Sequence, residues 1–145
     1  MQSIIVVIII GLIGGIAVGL QQPLTNIIGQ RLGILESAFI IQLGGAVASL
    51  IPLLFQRGGN LMNWQTVPWY ALIGGVLGIF VLVGINFTFP RLGAVTTTFL
   101  IVTGQLVISV LLDHFGLLGA QARPIDLARI LGIAVLFVGV WLIVR

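Results

Sequence analysis

Apolar residues run almost unbroken through this chain in five stretches, at about Ser3–Gly29, Glu36–Phe55, Val67–Phe89, Ala94–Leu112 and Leu127–Val144, with polar residues gathered between them. Each stretch is close to the ~20 residues a helix needs to cross ~30 Å of hydrocarbon. In lipid, backbone polar groups must be satisfied inside the segment, and a helix does this without a partner strand. The pattern predicts an all-α polytopic membrane protein with five transmembrane helices, and no polar segment is long enough for a separate domain, so residues 1–145 form a single five-helix transmembrane domain.

The intervals carry interface and turn chemistry. Trp64, Trp69 and Tyr70 stand at the start of the third stretch and Trp141 near the end of the fifth, as expected of aromatic residues at both headgroup layers. Arg57-Gly58-Gly59-Asn60 in one connection, and Gly116, Gly119 and Pro124 in another, are turn formers. Asp126 is placed to cap the last helix, with Arg129 three residues on and able to pair with it.

Shifting the chain by sixty residues aligns it with itself. Leu12-Ile13-Gly14-Gly15 falls on Leu72-Ile73-Gly74-Gly75, Asn26 on Asn86, Arg31-Leu32-Gly33 on Arg91-Leu92-Gly93, and Phe39, Ile41, Gly44, Val47 and Ser49 on Phe99, Ile101, Gly104, Val107 and Ser109. The offset equals two crossings, so helices 1–2 and 3–4 are expected to be parallel copies of one hairpin, with helix 5 added. Such a duplication creates no inverted symmetry. A pseudo-twofold axis in the membrane plane, of the kind many transporters use, requires a second chain of opposite orientation.

Charge permits that second chain to be the same protein. All six cationic residues are arginines; five crossings put Arg57, Arg123 and Arg129 on the side of the N-terminus and Arg31, Arg91 and Arg145 on the other. Orientation follows the excess of Lys and Arg in one set of loops. An even split predicts insertion both ways, hence a dual-topology, antiparallel homodimer with an inverted repeat.

Composition narrows the function. A mean hydropathy of +1.29 and 6% charged residues lie far from soluble composition. The pI of about 11.3 comes from scattered arginines rather than a basic face, which excludes nucleic acid as a partner. With no cysteine and His114 the only histidine, no metal site and no thiol chemistry are expected. Met1-Gln2-Ser3 lacks a basic region and the following apolar run is long, so the first stretch is expected to be a retained helix. No phosphate-binding glycine loop, paired carboxylates or Ser/His/Asp arrangement is present, and the expectation is no catalytic residue, no cofactor and no enzyme.

Polar residues within the stretches mark a candidate cavity. Gln22, Asn26 and Gln30 recur at i, i+4 and i+8 in the first helix, with Pro23 among them, and continue the face that bears Gly11, Gly15 and Gly19. The glycine row, like Gly74 and Gly78, fits close helix packing. In the fourth helix Thr98, Gln105, Ser109 and Asp113 form a second stripe, with Thr96, Thr97 and Thr103 nearby. Serine and threonine hydroxyls commonly bond their own helix. Gln105, an amide near mid-depth with donors and an acceptor to satisfy, is the first-choice substrate-binding residue, beside Gln22, Asn26, Thr98 and Ser109. Glu36 opens the second helix, where the dipole favours a carboxylate, and is the one acid to test for coupling or gating. No acid lies in the middle of a crossing, which weakens proton-coupled antiport of cations. Asp113 and His114, at a helix end, fit a structural role.

The run Pro90-Arg91-Leu92-Gly93-Ala94-Val95-Thr96-Thr97-Thr98, followed by Gly104-Gln105-Leu106 and Leu111-Leu112-Asp113-His114-Phe115-Gly116, resembles the signature of the small five-helix YdcZ-like proteins of the drug/metabolite transporter superfamily. Asn26, the Leu32-Gly33 turn and the glycine-rich start of helix 3 also fit, and the likeness spans essentially the whole chain. It implies a multi-pass protein of the bacterial cytoplasmic membrane that works as an antiparallel pair, either two copies of one dual-topology chain, two oppositely oriented homologues, or a fused ten-helix form. The small multidrug resistance proteins are similarly short, but this chain lacks their membrane-embedded glutamate in helix 1. The expected function is small-molecule transport by an antiparallel homodimer in the lipid bilayer, around a shared midplane cavity. A small dual-topology ion channel and a non-transporting scaffold are the alternatives.

Overall fold

The computed structural model of the chain describes residues 4–144; Met1, Gln2, Ser3 and Arg145 lie outside the described residues. Everything regular among them is helical. Helix α1 is Ile4–Leu32 and α2 is Ile34–Phe55. Two short 3₁₀ segments, Leu61–Thr66 and Trp69–Ile73, lead into the helical run Gly74–Phe115, whose helical dihedrals fail at Gly93 (φ 79°, ψ 172°). We label its two parts α3 (74–92) and α4 (94–115). A 3₁₀ turn, Leu117–Gly119, precedes α5, Leu127–Val144. Three helical stretches, Ile4–Leu32, Ile34–Phe55 and Trp69–Phe115, are long and apolar enough to cross a membrane.

The last helix begins and ends where the hydropathy places it, whereas the other boundaries move for local reasons. Only Gly33 separates α1 from α2: with φ 122° and ψ 160° it occupies a region closed to side-chain-bearing residues, so one residue reverses the chain. Val67 is extended before Pro68, which postpones regular α-helix to Gly74 and winds Trp69 and Tyr70 into a 3₁₀ segment. Pro90 does not end α3; helical geometry continues to Leu92 and breaks at the glycine.

Packing divides the chain into two compact units, Met1–Arg91 and Leu92–Arg145. In the first, α1 packs against α2. Ser37 Oγ in the first turn of α2 donates to the Thr25 carbonyl of α1 at 2.7 Å, holding the hairpin closed. A Cβ on Gly29 would overlap the Asn86 side chain, so α3 crosses α1 there at glycine distance, and Gly78 of α3 lies against Gln42 of α2. By contrast, Cβ atoms on Gly11, Gly15 and Gly19 would meet nothing within 4 Å. The glycine row of α1 therefore stays open among the described residues.

In the second unit, polar groups close the end of α4 onto the start of α5. Asp126 Oδ1 accepts the Arg129 N–H at 2.8 Å, the expected cap. The Arg129 guanidinium, however, does not pair with Asp126; it reaches Asp113 Oδ2 at 3.5 Å, because the loop folds back and brings the end of α4 within reach. Arg123 N–H donates to the Asp113 carbonyl at 2.8 Å, and Ile125 N–H to His114 Nδ1 at 3.4 Å, in keeping with a structural role for both. The ion pair is partly exposed, and such pairs contribute at most about 1 kcal/mol. Asp126→Ala, which strips a cap worth ~1 kcal/mol, should therefore lower unfolding stability at least as much as Asp113→Asn. Chemical denaturation in micelles checks the order, and a larger loss for Asp113→Asn would show that the ion pair dominates.

Candidate functional site

The first unit is built inside out relative to a soluble protein. Large apolar residues are exposed along every helix of both units, while among the described residues the buried ones are mostly polar, Gln22, Thr25, Asn26, Ser37, Asn86 and, in the second unit, Thr97, beside the apolar Ala38, Leu82 and Ile85. An apolar exterior suits hydrocarbon, and in that solvent polar side chains are the ones driven inward.

Helical periodicity chooses which polar residues of α1 enter. At 3.6 residues per turn a face recurs at i, i+3, i+4 and i+7, which selects Gln22, Thr25, Asn26 and Gly29. Gln22, Thr25 and Asn26 are buried and Gly29 partly so, whereas Gln30 at i+8 has rotated off the face and is exposed. Gln22 and Asn26 are thus brought together and Gln30 is not. The small Gly29 lets α3 approach, and Asn86 fills the space beside it. Asn86 Nδ2 donates to the Leu82 carbonyl one turn back, at 3.1 Å, which leaves its Oδ1 as the end turned toward Gly29. Thr25 Oγ1, Asn26 Oδ1 and Asn86 Oδ1 are buried without a hydrogen-bond partner. Thr25 and Asn26 thus stand within about one helical turn of Gly29 on α1, and Asn86 Oδ1 faces Gly29 from α3.

Thr25 and Asn86 join the site although neither was a candidate from the sequence. A threonine in an apolar helix gives no distinctive signal, but Asn86 stands sixty residues beyond Asn26 and the self-alignment marks it. Glu36 is exposed, with its carboxylate against Gly33 at the N-terminal end of α2, and lies outside this cluster. A hollow of about 330 Å³ in the same unit is lined by Ile41, Val81 and Leu82 together with Gln21, Gln42, Gly45 and Gly78.

The remaining candidates belong to the second unit. Gln105 and Ser109 are exposed, and Ser109 lines a hollow of about 330 Å³ with Asp113, Arg129 and Gly132. Thr98 Oγ1 donates to the Ala94 carbonyl at 2.9 Å, the expected bond to its own helix, as Thr88 does to Gly84 in the first unit. Thr97 and Thr103 keep buried hydroxyls without a partner. Among the described residues no group of three His, Cys, Asp or Glu is placed to hold a metal.

A family model described as "Putative inner membrane exporter, YdcZ" matches residues 6–142. The inner membrane protein YdcZ of Escherichia coli (strain K12) is 31% identical over 139 residues, covering 90% of this chain and 91% of that protein. No solved structure matches significantly.

Proposed function

We infer that this chain, which belongs to the YdcZ family of multi-pass inner membrane proteins, is a small-molecule transporter of the drug/metabolite transporter type. The observation that carries the reading is the buried polar face of Gln22, Thr25, Asn26 and Asn86 inside an apolar exterior. Packing alone is served by small residues and by polar groups that bond across the interface, as Ser37 does, whereas Thr25, Asn26 and Asn86 keep oxygens with no such bond. Intramembrane polar residues facing inward are where membrane proteins place substrate contacts.

The transporter has five crossings in one domain. At 1.5 Å per residue the 47-residue run Trp69–Phe115 would measure ~70 Å, over twice the hydrocarbon thickness, and the break at Gly93 supports two crossings. A parallel repeat of helices 1–2 and 3–4 is supported by burial. Gln22, Thr25, Asn26 and Ser37 are buried, as are Leu82, Ile85, Asn86 and Thr97 sixty residues on, and Gly33 and Gly93 both break the helix with positive φ. The working unit is an antiparallel homodimer, supported by the balanced arginines and by the open glycine row of α1, which offers a close-packing face to a second copy. In that dimer Gln105 and Ser109, exposed on one chain, face the shared midplane cavity, and Glu36 serves as its gate or coupling acid.

The test is transport in proteoliposomes of a solute found by a stabilisation screen, since a ligand of the folded state raises its apparent stability. Gln22→Leu should leave the fold intact, because its counterpart sixty residues on is already the buried Leu82. Gln105→Ala removes at most a membrane hydrogen bond worth ~0.6 kcal/mol. Each should cut transport at least tenfold while the protein remains folded. Normal transport by both variants would remove these side chains from the site, and conductance without solute turnover would make the protein a channel.

A further inference from the structure

We propose that Thr25, Asn26 and Asn86 form a binding site for a small, dehydrated monovalent cation, an alkali ion or ammonium, beside Gly29. Each residue of the cluster holds a buried oxygen, and the one hydroxyl among them, on Thr25, bonds neither amide oxygen. Asn86 is 5% exposed, Asn26 7% and Thr25 0%, and each has an oxygen without a partner. The hydroxyl that could have served them, Ser37 Oγ, donates instead to the Thr25 carbonyl. The Asn86 amide is held by its bond to Leu82, which uses one of its two N–H groups within α3, while its oxygen remains beside Gly29. Arg31 and Arg91 are exposed, and the Arg91 guanidinium stacks on Phe87, so neither arginine is the missing donor.

Buried oxygens left without a hydrogen bond call for a partner, and one positive charge can serve all three at once. Neutral amide and hydroxyl oxygens can replace the hydration shell of a monovalent ion through their dipoles, as carbonyl oxygens do in ion filters. A divalent ion, which demands carboxylates to repay its dehydration, fits poorly, because the cluster contains no acid. The site deepens the transport reading by supplying an ion that travels with, or couples, the solute, and it rests on that reading for the ion's role but not for its binding.

Thermal unfolding of the purified full-length protein tests binding directly. At constant ionic strength, N-methyl-D-glucamine chloride is replaced stepwise by sodium, potassium or ammonium chloride. The expected result is a saturable rise of several degrees in melting temperature with at least one small cation and none with the bulky one. Asn86→Leu and Thr25→Val should abolish the rise. Gly29→Ala, which displaces the amide oxygen without removing a polar group, should weaken the apparent affinity several-fold. Asn86→Asp, which adds a carboxylate of the same shape, should tighten it at least tenfold, an effect that a packing role for Asn86 would not produce. Identical melting curves in all four salts for both the native protein and Asn86→Asp would overturn the proposal, leaving a water as the occupant. A rise that survives Asn86→Leu and Thr25→Val would place the ion elsewhere and overturn it equally. Solute transport at an unchanged rate without small cations would leave the transport reading standing and remove the ion from it.

Discussion

Gly33→Ala should lower the stability of the folded protein by about 1–3 kcal/mol, the cost of holding a side-chain-bearing residue in a conformation essentially reserved for glycine. Gly33 has φ 122° and ψ 160°, and an added Cβ would also overlap the Glu36 carboxylate. That second conflict is soft, because the carboxylate is the far end of a flexible side chain. Gly93 provides the comparison, since a Cβ there meets nothing within 4 Å while φ is 79°. Gly93→Ala should therefore lose a similar amount from the backbone alone, and adding Glu36→Ala should recover little of the loss in Gly33→Ala. Unfolding in mixed micelles reads all three. A loss below about 0.5 kcal/mol for both glycine variants would mean that the breaks are set by the surrounding helices rather than by these residues.

The largest effect on the assembly is expected from charge. Reporters fused to the C-terminus should reveal both orientations in comparable amounts, because the arginines divide evenly. Two or three lysines added to the loop at 56–60 should drive nearly all chains into one orientation with that loop in the cytoplasm. Antiparallel pairing, and transport with it, should disappear, then return when a variant biased the other way is co-expressed. A strongly one-sided reporter for the native chain would remove the homodimer and require a partner of opposite bias.

The helices were legible because hydrocarbon accepts only segments that satisfy their own backbone, so a hydropathy run is nearly a helix boundary. Where the boundary moved, the cause was a single residue, Gly33, Pro68 or Gly93, acting through its backbone. The polar interior was partly legible. In lipid the apolar face carries no directional information, and only polar residues report which side of a helix is inward; this located Gln22 and Asn26. It extended the stripe too far, to Gln30, because a spacing of eight drifts off the face where seven would hold it. Thr25 was missed because a threonine can satisfy its hydroxyl on its own helix and so signals nothing. Thr98 does so in the structure. Depth in the membrane and burial in the chain proved to be different quantities, as Gln105 shows: placed near mid-depth by its position in the apolar run, it is exposed on the single chain.

The one-residue joint at Gly33 bears on how the protein is made. A nascent chain entering the bilayer helix by helix would leave Gln22, Thr25 and Asn26 facing lipid until a partner helix arrived to cover them, an expensive exposure for polar side chains. With no connecting loop to synthesise between Leu32 and Ile34, the next turn of chain already contains Ser37, whose hydroxyl meets the Thr25 carbonyl. The first two helices are therefore suited to leave the translocon together as a hairpin, and a flexible insert at position 33 should slow membrane integration even if the finished fold tolerates it.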